Sequence, residues 1–217
     1  MKKKILWGTA VLMVALLALF GRDLLGFYHL VTYIDSTTQA YEADGPWPQT
    51  ADTCYGCHGQ RGSSQHQRYP SLAGQPADYL KAQLHGFANG TRHFPNMQPL
   101  AMSLSDAEID KLANYYARQT PMDNHSFQPD PGLRQQGEKL VKTGACAACH
   151  GETLMGQGAF PRLAGQGADY LLVQLDAFAL GSRVDPTGSM KAVTQTLSAQ
   201  DRKALAHYLA ALAATPK

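Results

Sequence analysis

Pro70-Ser71-Leu72-Ala73-Gly74-Gln75-Pro76-Ala77-Asp78-Tyr79-Leu80 returns later in the chain as Pro161-Arg162-Leu163-Ala164-Gly165-Gln166-Gly167-Ala168-Asp169-Tyr170-Leu171. The match runs on through Gln83/Gln174, Leu84/Leu175, Phe87/Phe178, Gly90/Gly181 and Arg92/Arg183, and then through Leu104-Ser105/Leu197-Ser198 and Tyr115/Tyr208. A period of about 90 residues is too long for one unit of a solenoid and suits a duplicated small domain. The copies meet across Gln119 to Pro131, a stretch with Pro121, Asn124, Pro129 and Pro131 that reads as a linker.

Each copy reads as helices. Ala77 to Ala88 sets Leu80, Leu84 and Phe87 on one face at helical spacing, and Ala168 to Leu180 repeats this with Leu171, Leu175 and Phe178. Ser105-Asp106-Ala107-Glu108 is a capping box that predicts a helix through Arg118, with Ile109, Leu112 and Tyr116 inward. Ser198-Ala199-Gln200-Asp201 opens its counterpart, with Leu205, Leu209 and Leu212 inward. Pro131 to Lys142 predicts a further helix, for which Thr37 to Ala43 is the candidate partner in the first copy. The fold class is all-α.

The chain has 217 residues, 44% of them hydrophobic, enough for globular cores. Its formal charge of +2 owes three units to Lys2, Lys3 and Lys4; the remainder is nearly neutral, with no basic stripe to argue for nucleic acid. After those lysines, Ile5 to Phe20 is an unbroken run of apolar or small residues ending at Arg22 and Asp23. A signal peptide wants small-x-small at its cleavage site, and Ala18-Leu19-Phe20 puts a large ring there. An uncleaved hydrophobic helix that anchors the chain through its N-terminus is therefore the expectation. The lysines stay in the cytoplasm and the rest of the chain is exported.

All four cysteines lie in Cys-x-x-Cys-His: Cys54-Tyr55-Gly56-Cys57-His58 and Cys146-Ala147-Ala148-Cys149-His150. Two thiols one helical turn apart can each form a thioether to one edge of a haem, and the adjacent histidine then rises to the iron. A disulfide would not call for histidine next door, twice. A zinc site needs four ligands, where each copy offers two cysteines and one histidine. A thioredoxin-like pair would need a βαβ setting that the pattern lacks. Two covalently bound haem c groups are expected, held by Cys54, Cys57, Cys146 and Cys149, with His58 and His150 on the irons.

The opposite axial ligands must come from further along. Met97 and Met190 each stand seven residues before the Leu-Ser pair of their copy and about forty after its histidine. Thioether sulfur favours ferrous iron and raises the potential. Met102 and His93 are rivals in the first copy and Met155 in the second, but none has a counterpart at the matching place. With both axial positions filled, an iron only gives or takes an electron, so the chain is not expected to be an enzyme. Arg92 and Arg183 suit haem propionates, and Tyr79 and Tyr170 suit a haem edge or the core. A backbone carbonyl near Pro70 or Pro161 suits the ligating ring N–H.

The paired Cys-x-x-Cys-His-Gly, the paired Pro-x-Leu-Ala-Gly-Gln-x-x-x-Tyr-Leu and the paired methionines before Leu-Ser resemble the dihaem cytochrome c4 family of class I c-type cytochromes, from Asp52 to the C-terminus. The resemblance implies two tandem haem domains about a pseudo-twofold axis, here residues 45–124 and 125–217 after an N-terminal segment of 1–44. It implies a periplasmic carrier taking electrons from a quinol-oxidising complex or a dehydrogenase and passing them to an oxidase. A fixed cytochrome subunit of such a complex and, more remotely, a dihaem peroxidase are the alternatives. The sequence departs from the family where Gly45 to Asp52 obscures the helix that leads into the first haem motif.

Overall fold

A computed structural model describes residues 2–43 and 49–214, and within 2–43 some side chains lie outside that description. The chain divides into two compact units, 1–49 and 50–217. The first holds one helix, α1 (Lys2–Ala43). Its described apolar side chains lie open on all sides, with Trp7, Leu19 and Phe27 each more than three-fifths exposed. Among the described residues no helix is long and apolar enough to cross a membrane. The anchor expected over Ile5 to Phe20 falls partly on side chains outside the described residues.

The second unit is built from short helices and loops, with no strand beyond one isolated bridge between Gln157 and Phe160 among the described residues. Its first half holds α2 (Tyr55–His58), α3 (Ala77–Ala88), α4 (Met97–Met102) and α5 (Asp106–Ala117). Its second half holds α6 (Pro131–Thr143), α7 (Cys146–His150), α8 (Ala168–Leu180), α9 (Ser189–Gln195) and α10 (Ala199–Ala210). Helices α3 and α8 have the bounds that the apolar spacing predicts. Both capping boxes form: Ser105 and Ser198 accept from the backbone N–H groups of Glu108 and Asp201, whose carboxylates reach back to the cap N–H groups. Asp130 caps α6, accepting from the Leu133 N–H, and Pro131 takes the first helical position where no N–H is needed.

Each half closes over its own core. Leu80, Leu112, Ala113 and Tyr116 are buried in the first, and Leu171, Leu205, Ala206 and Leu209 in the second. In the second half α6 lies across α10 at Gly137, so closely that a β-carbon there would stand 2.2 Å from the Ala204 carbonyl oxygen. The first half has a different device. Thr37 to Ala43 is the end of α1 and belongs to the other unit, contrary to the expectation that it would match α6. A 3₁₀ turn over Thr50–Cys54 leads into the cysteine motif instead, tied to α5 by the Tyr116 hydroxyl, which donates to Ala51 O at 3.2 Å.

The loops after the two cysteine motifs repeat the same hydrogen bonds. The Gly62 carbonyl accepts from the Leu72 and Ala73 N–H groups at 2.7 and 3.1 Å, and the Leu154 carbonyl accepts from those of Leu163 and Ala164 at 2.8 and 3.2 Å. Both residues need a positive φ, 79° at Gly62 and 59° at Leu154. At Leu154 this costs about 1–2 kcal/mol, and the strain is held by a side chain buried in the second core.

Candidate haem sites and the seam between them

Each cysteine motif occupies a single helical turn. Cys54 caps α2, Cys57 stands one turn on, and His58 ends the helix. In α7, Cys146 is the first helical residue, after Ala145 at the cap, Cys149 stands one turn on and His150 again ends the helix. All four thiols are free of disulfides. Among the described residues no group of three His, Cys, Asp or Glu side chains is gathered as a metal cage.

The histidines are fixed from behind. His58 Nδ1 lies 2.8 Å from Pro70 O and His150 Nδ1 lies 2.9 Å from Pro161 O. A carbonyl can only accept, so each Nδ1 carries the proton and each Nε2 keeps its lone pair for a metal. Both side chains are buried. Burial holds both imidazoles below their ordinary pKa against the opposing pull of the carbonyl, which favours the neutral ligand form. Two free thiols on one turn, beside a neutral imidazole with a single available nitrogen, are the donor set that a covalently attached haem requires.

The candidate sulfur ligands also occupy equivalent places. Met97 opens α4 and Met190 is the second residue of α9, and both are half-buried. The rival Met102 is 64% exposed at the end of α4, His93 is exposed, and Met155 packs against the second core. Neither short helix was visible in the sequence, because six or seven residues carry too little periodicity to register.

Arg92, Arg183, Tyr79 and Tyr170 form a joint between the halves. Arg92 donates to Gln83 Oε1 in its own half at 2.8 Å and to Tyr170 Oη and Gln174 Oε1 in the other, each at 3.1 Å. Arg183 answers with Gln174 Oε1 at 2.7 Å, Gln83 Oε1 at 2.9 Å and Tyr79 Oη at 3.3 Å. Each guanidinium also covers a phenylalanine of its own half, Phe87 at 4.5 Å and Phe178 at 4.6 Å. Among the described residues no carboxylate pairs with either arginine. Burial pushes both phenols up; for Tyr170 the two arginines outweigh it and pull the group down, while Tyr79 stays raised.

A second set of contacts, missed in the sequence, joins the halves closer to the histidines. Gln75 and Gln166 each grip the backbone of the other half: Gln75 holds Arg162 and Gln166 holds Ser71. Arg162 is 1% exposed, and its guanidinium donates to the carbonyls of Ala164 in its own half and Ala73 in the other. Its Nε has no partner, and burial pulls the group down to about 10, so it remains a cation at neutral pH. The only hint available beforehand was that Gln75 and Gln166 occupy matching places in the repeat.

The comparisons with known proteins agree with this construction. The cytochrome c family model matches the chain twice, over residues 48–118 and 135–213. The chain is 37% identical over 179 residues to a thiosulfate dehydrogenase electron acceptor of Thiomonas intermedia, an alignment covering 78% of this chain and 82% of that one. It is 38% identical over 170 residues to a cytochrome c4 of Thiocapsa roseopersicina, covering 73% and 86%. The crystal structure of reduced cytochrome c4 from Pseudomonas stutzeri superimposes with a TM-score of 0.68 at 33% identity, covering 75% of this chain and 94% of that one. With two Cys-x-x-Cys-His turns, two haem c groups bound through Cys54, Cys57, Cys146 and Cys149, and no sheet among the described residues, the chain belongs to the cytochrome c family, as a dihaem member of the cytochrome c4 group of electron carriers.

Proposed function

We propose that this protein relays electrons between periplasmic redox partners through two six-coordinate haems, one in residues 45–124 with His58 and Met97 as axial ligands, the other in 125–217 with His150 and Met190. The observation that carries the reading is the pair of buried histidines, each with Nδ1 committed to a proline carbonyl and Nε2 left for iron. Bound haem supplies a one-electron change between ferric and ferrous iron. The chain's part is to orient the imidazole, provide the sulfur and hold the two halves together across the seam. Arg92 and Arg183, two cations without carboxylate partners among the described residues, would be suited to pair with the carboxylates of haem propionates.

The test of ligation is spectroscopic. Met97→Ala and Met190→Ala should each remove about half of the absorption from methionine bound to ferric haem, and leave the other half in place. Retention of the full band in both variants would overturn the sulfur assignment. Ready binding of carbon monoxide to the reduced wild-type protein would overturn six-coordination and bring back the peroxidase alternative.

The partners are proposed by class. A dehydrogenase as donor is supported by the relative named a thiosulfate dehydrogenase electron acceptor; a quinol-oxidising complex is the other donor class, and an oxidase the acceptor. Both contacts would be small and short-lived, and a nearly neutral chain gives little electrostatic steering. Attachment at the periplasmic face of the inner membrane through the N-terminus belongs to the same proposal. Lys2 to Lys4 followed by Ile5 to Phe20 supports it, as does the open apolar surface of α1. The haem protein should sediment with membranes and resist alkaline carbonate; full release by osmotic shock would refute attachment and leave a soluble shuttle.

A further inference from the structure

Each histidine is connected to the opposite half through one peptide group. The His58 ring donates to the Pro70 carbonyl, and the N–H of that same peptide, on Ser71, donates to Gln166 Oε1 at 2.7 Å. The His150 ring donates to the Pro161 carbonyl, and the N–H of that peptide, on Arg162, donates to Gln75 Oε1 at 2.9 Å. The connections cross: the first half's glutamine stands behind the second half's histidine, and the reverse. Both amides are fixed in orientation, because Gln166 Nε2 donates to Ser71 O at 2.9 Å and Gln75 Nε2 to Arg162 O at 3.0 Å. Both are almost fully buried, at 2% and 3% exposure, so water does not compete for these bonds.

A peptide whose N–H is engaged by an acceptor carries more negative charge on its carbonyl oxygen, the mutual polarisation expected of hydrogen bonds in a chain at low dielectric. A stronger acceptor draws the imidazole Nδ1 proton further and makes Nε2 a better donor to the metal. A better donor favours ferric over ferrous iron and lowers the potential. We infer that Gln75 and Gln166 are crossed tuning residues, Gln75 holding down the potential of the second haem and Gln166 that of the first. Docking of the halves thereby sets the potential of each haem from the opposite side of the seam. The inference rests on His58 and His150 as axial ligands.

The test is a redox titration of full-length holoprotein carrying Gln75→Ala or Gln166→Ala. The two couples are assigned by the hyperfine-shifted haem methyl resonances, one set of which is lost in Met97→Ala and the other in Met190→Ala. Gln75→Ala should raise the potential of the second haem, with at least a threefold rise in its ferrous-to-ferric ratio at fixed ambient potential, about 30 mV at 59 mV per tenfold. The first haem should move less than half as far, and Gln166→Ala should give the mirror pattern. Equal movement of both haems, which general loosening of the seam would cause, overturns the inference. So does a shift confined to the haem of the substituted half, or no shift. If an alanine variant fails to load haem, Gln75→Asn and Gln166→Asn, which keep the amide but shorten its reach, carry the same test. Failure of the ligation reading shows separately, as loss of the low-spin spectrum in the wild-type protein.

Discussion

His150→Ala is expected to leave a protein with one low-spin haem in place of two. The substitution takes away the Nε2 donor and also the Nδ1 proton that rests on Pro161 O. It opens a polar hole in a site where the side chain is 6% exposed. The second iron then keeps at most its sulfur ligand, goes high-spin or is poorly incorporated, and binds carbon monoxide when reduced. About half of the low-spin signal should vanish while the first haem keeps its spectrum. His58→Ala should give the complementary loss. The halves have separate cores, so the two losses should be nearly additive in the double variant. Electron paramagnetic resonance of the oxidised protein reads both spin states in one spectrum. Two intact low-spin signals in either single variant would refute the histidine assignment.

Gly137→Ala should produce a large loss of stability from a single methyl group. The added carbon would sit 2.2 Å from Ala204 O and 2.6 Å from Tyr208 Cβ. The first of these is helix backbone, which cannot turn aside, so α6 and α10 must move apart along their crossing. The better helix propensity of alanine returns only about 1 kcal/mol. Overpacking of this kind costs about 3 kcal/mol, so the net loss of about 2 kcal/mol lowers the melting temperature by roughly 4–8 °C for a chain of this size. Gly132→Ala, on the exposed first turn of the same helix, meets only the Asp130 carboxylate at 3.3 Å and should leave the melting temperature unchanged or slightly raised. Calorimetry of the two variants separates the crossing from helix propensity. Equal melting temperatures would show that α6 and α10 have room to spare.

The parts of this fold that were legible in the sequence are those decided locally. Helices α3 and α8 show a stripe of apolar residues over three turns, and α5 and α10 begin at serine boxes whose partners are three residues away. The cysteine motifs were legible because thioether attachment fixes their spacing within one turn. The first half's entry helix was misread because Thr37 to Ala43 is continuous with α1, which runs straight through Gly21 and Gly26. A sequence window cannot tell the last turns of a long helix from a short one. The seam was illegible for a different reason. Arg92 reaches Gln174 and Gln166 reaches Ser71 across more than eighty residues of chain, and nothing local distinguishes an arginine at a domain joint from one in solvent. What was available was the repeat itself: Tyr79, Gln83 and Arg92 all return at matching places, though a duplicated surface has no obvious need to keep such a trio.

One contact across the seam runs in a single direction. Helix α8 begins without a side-chain cap of its own, and the Ala168 and Tyr170 N–H groups are met by the side chain and the carbonyl of Gln67, both at 2.9 Å. Gly167 lets that loop come close, since any side chain there would strike Gln67 O. At the corresponding point the trailing copy offers only Gly158 and Ala159, with no amide to return. The almost symmetric architecture thus has a built-in polarity: the trailing half borrows the cap of its helix from the leading half and lends none in return, so trimming the Gln67 side chain would fray α8 and leave the start of α3 untouched.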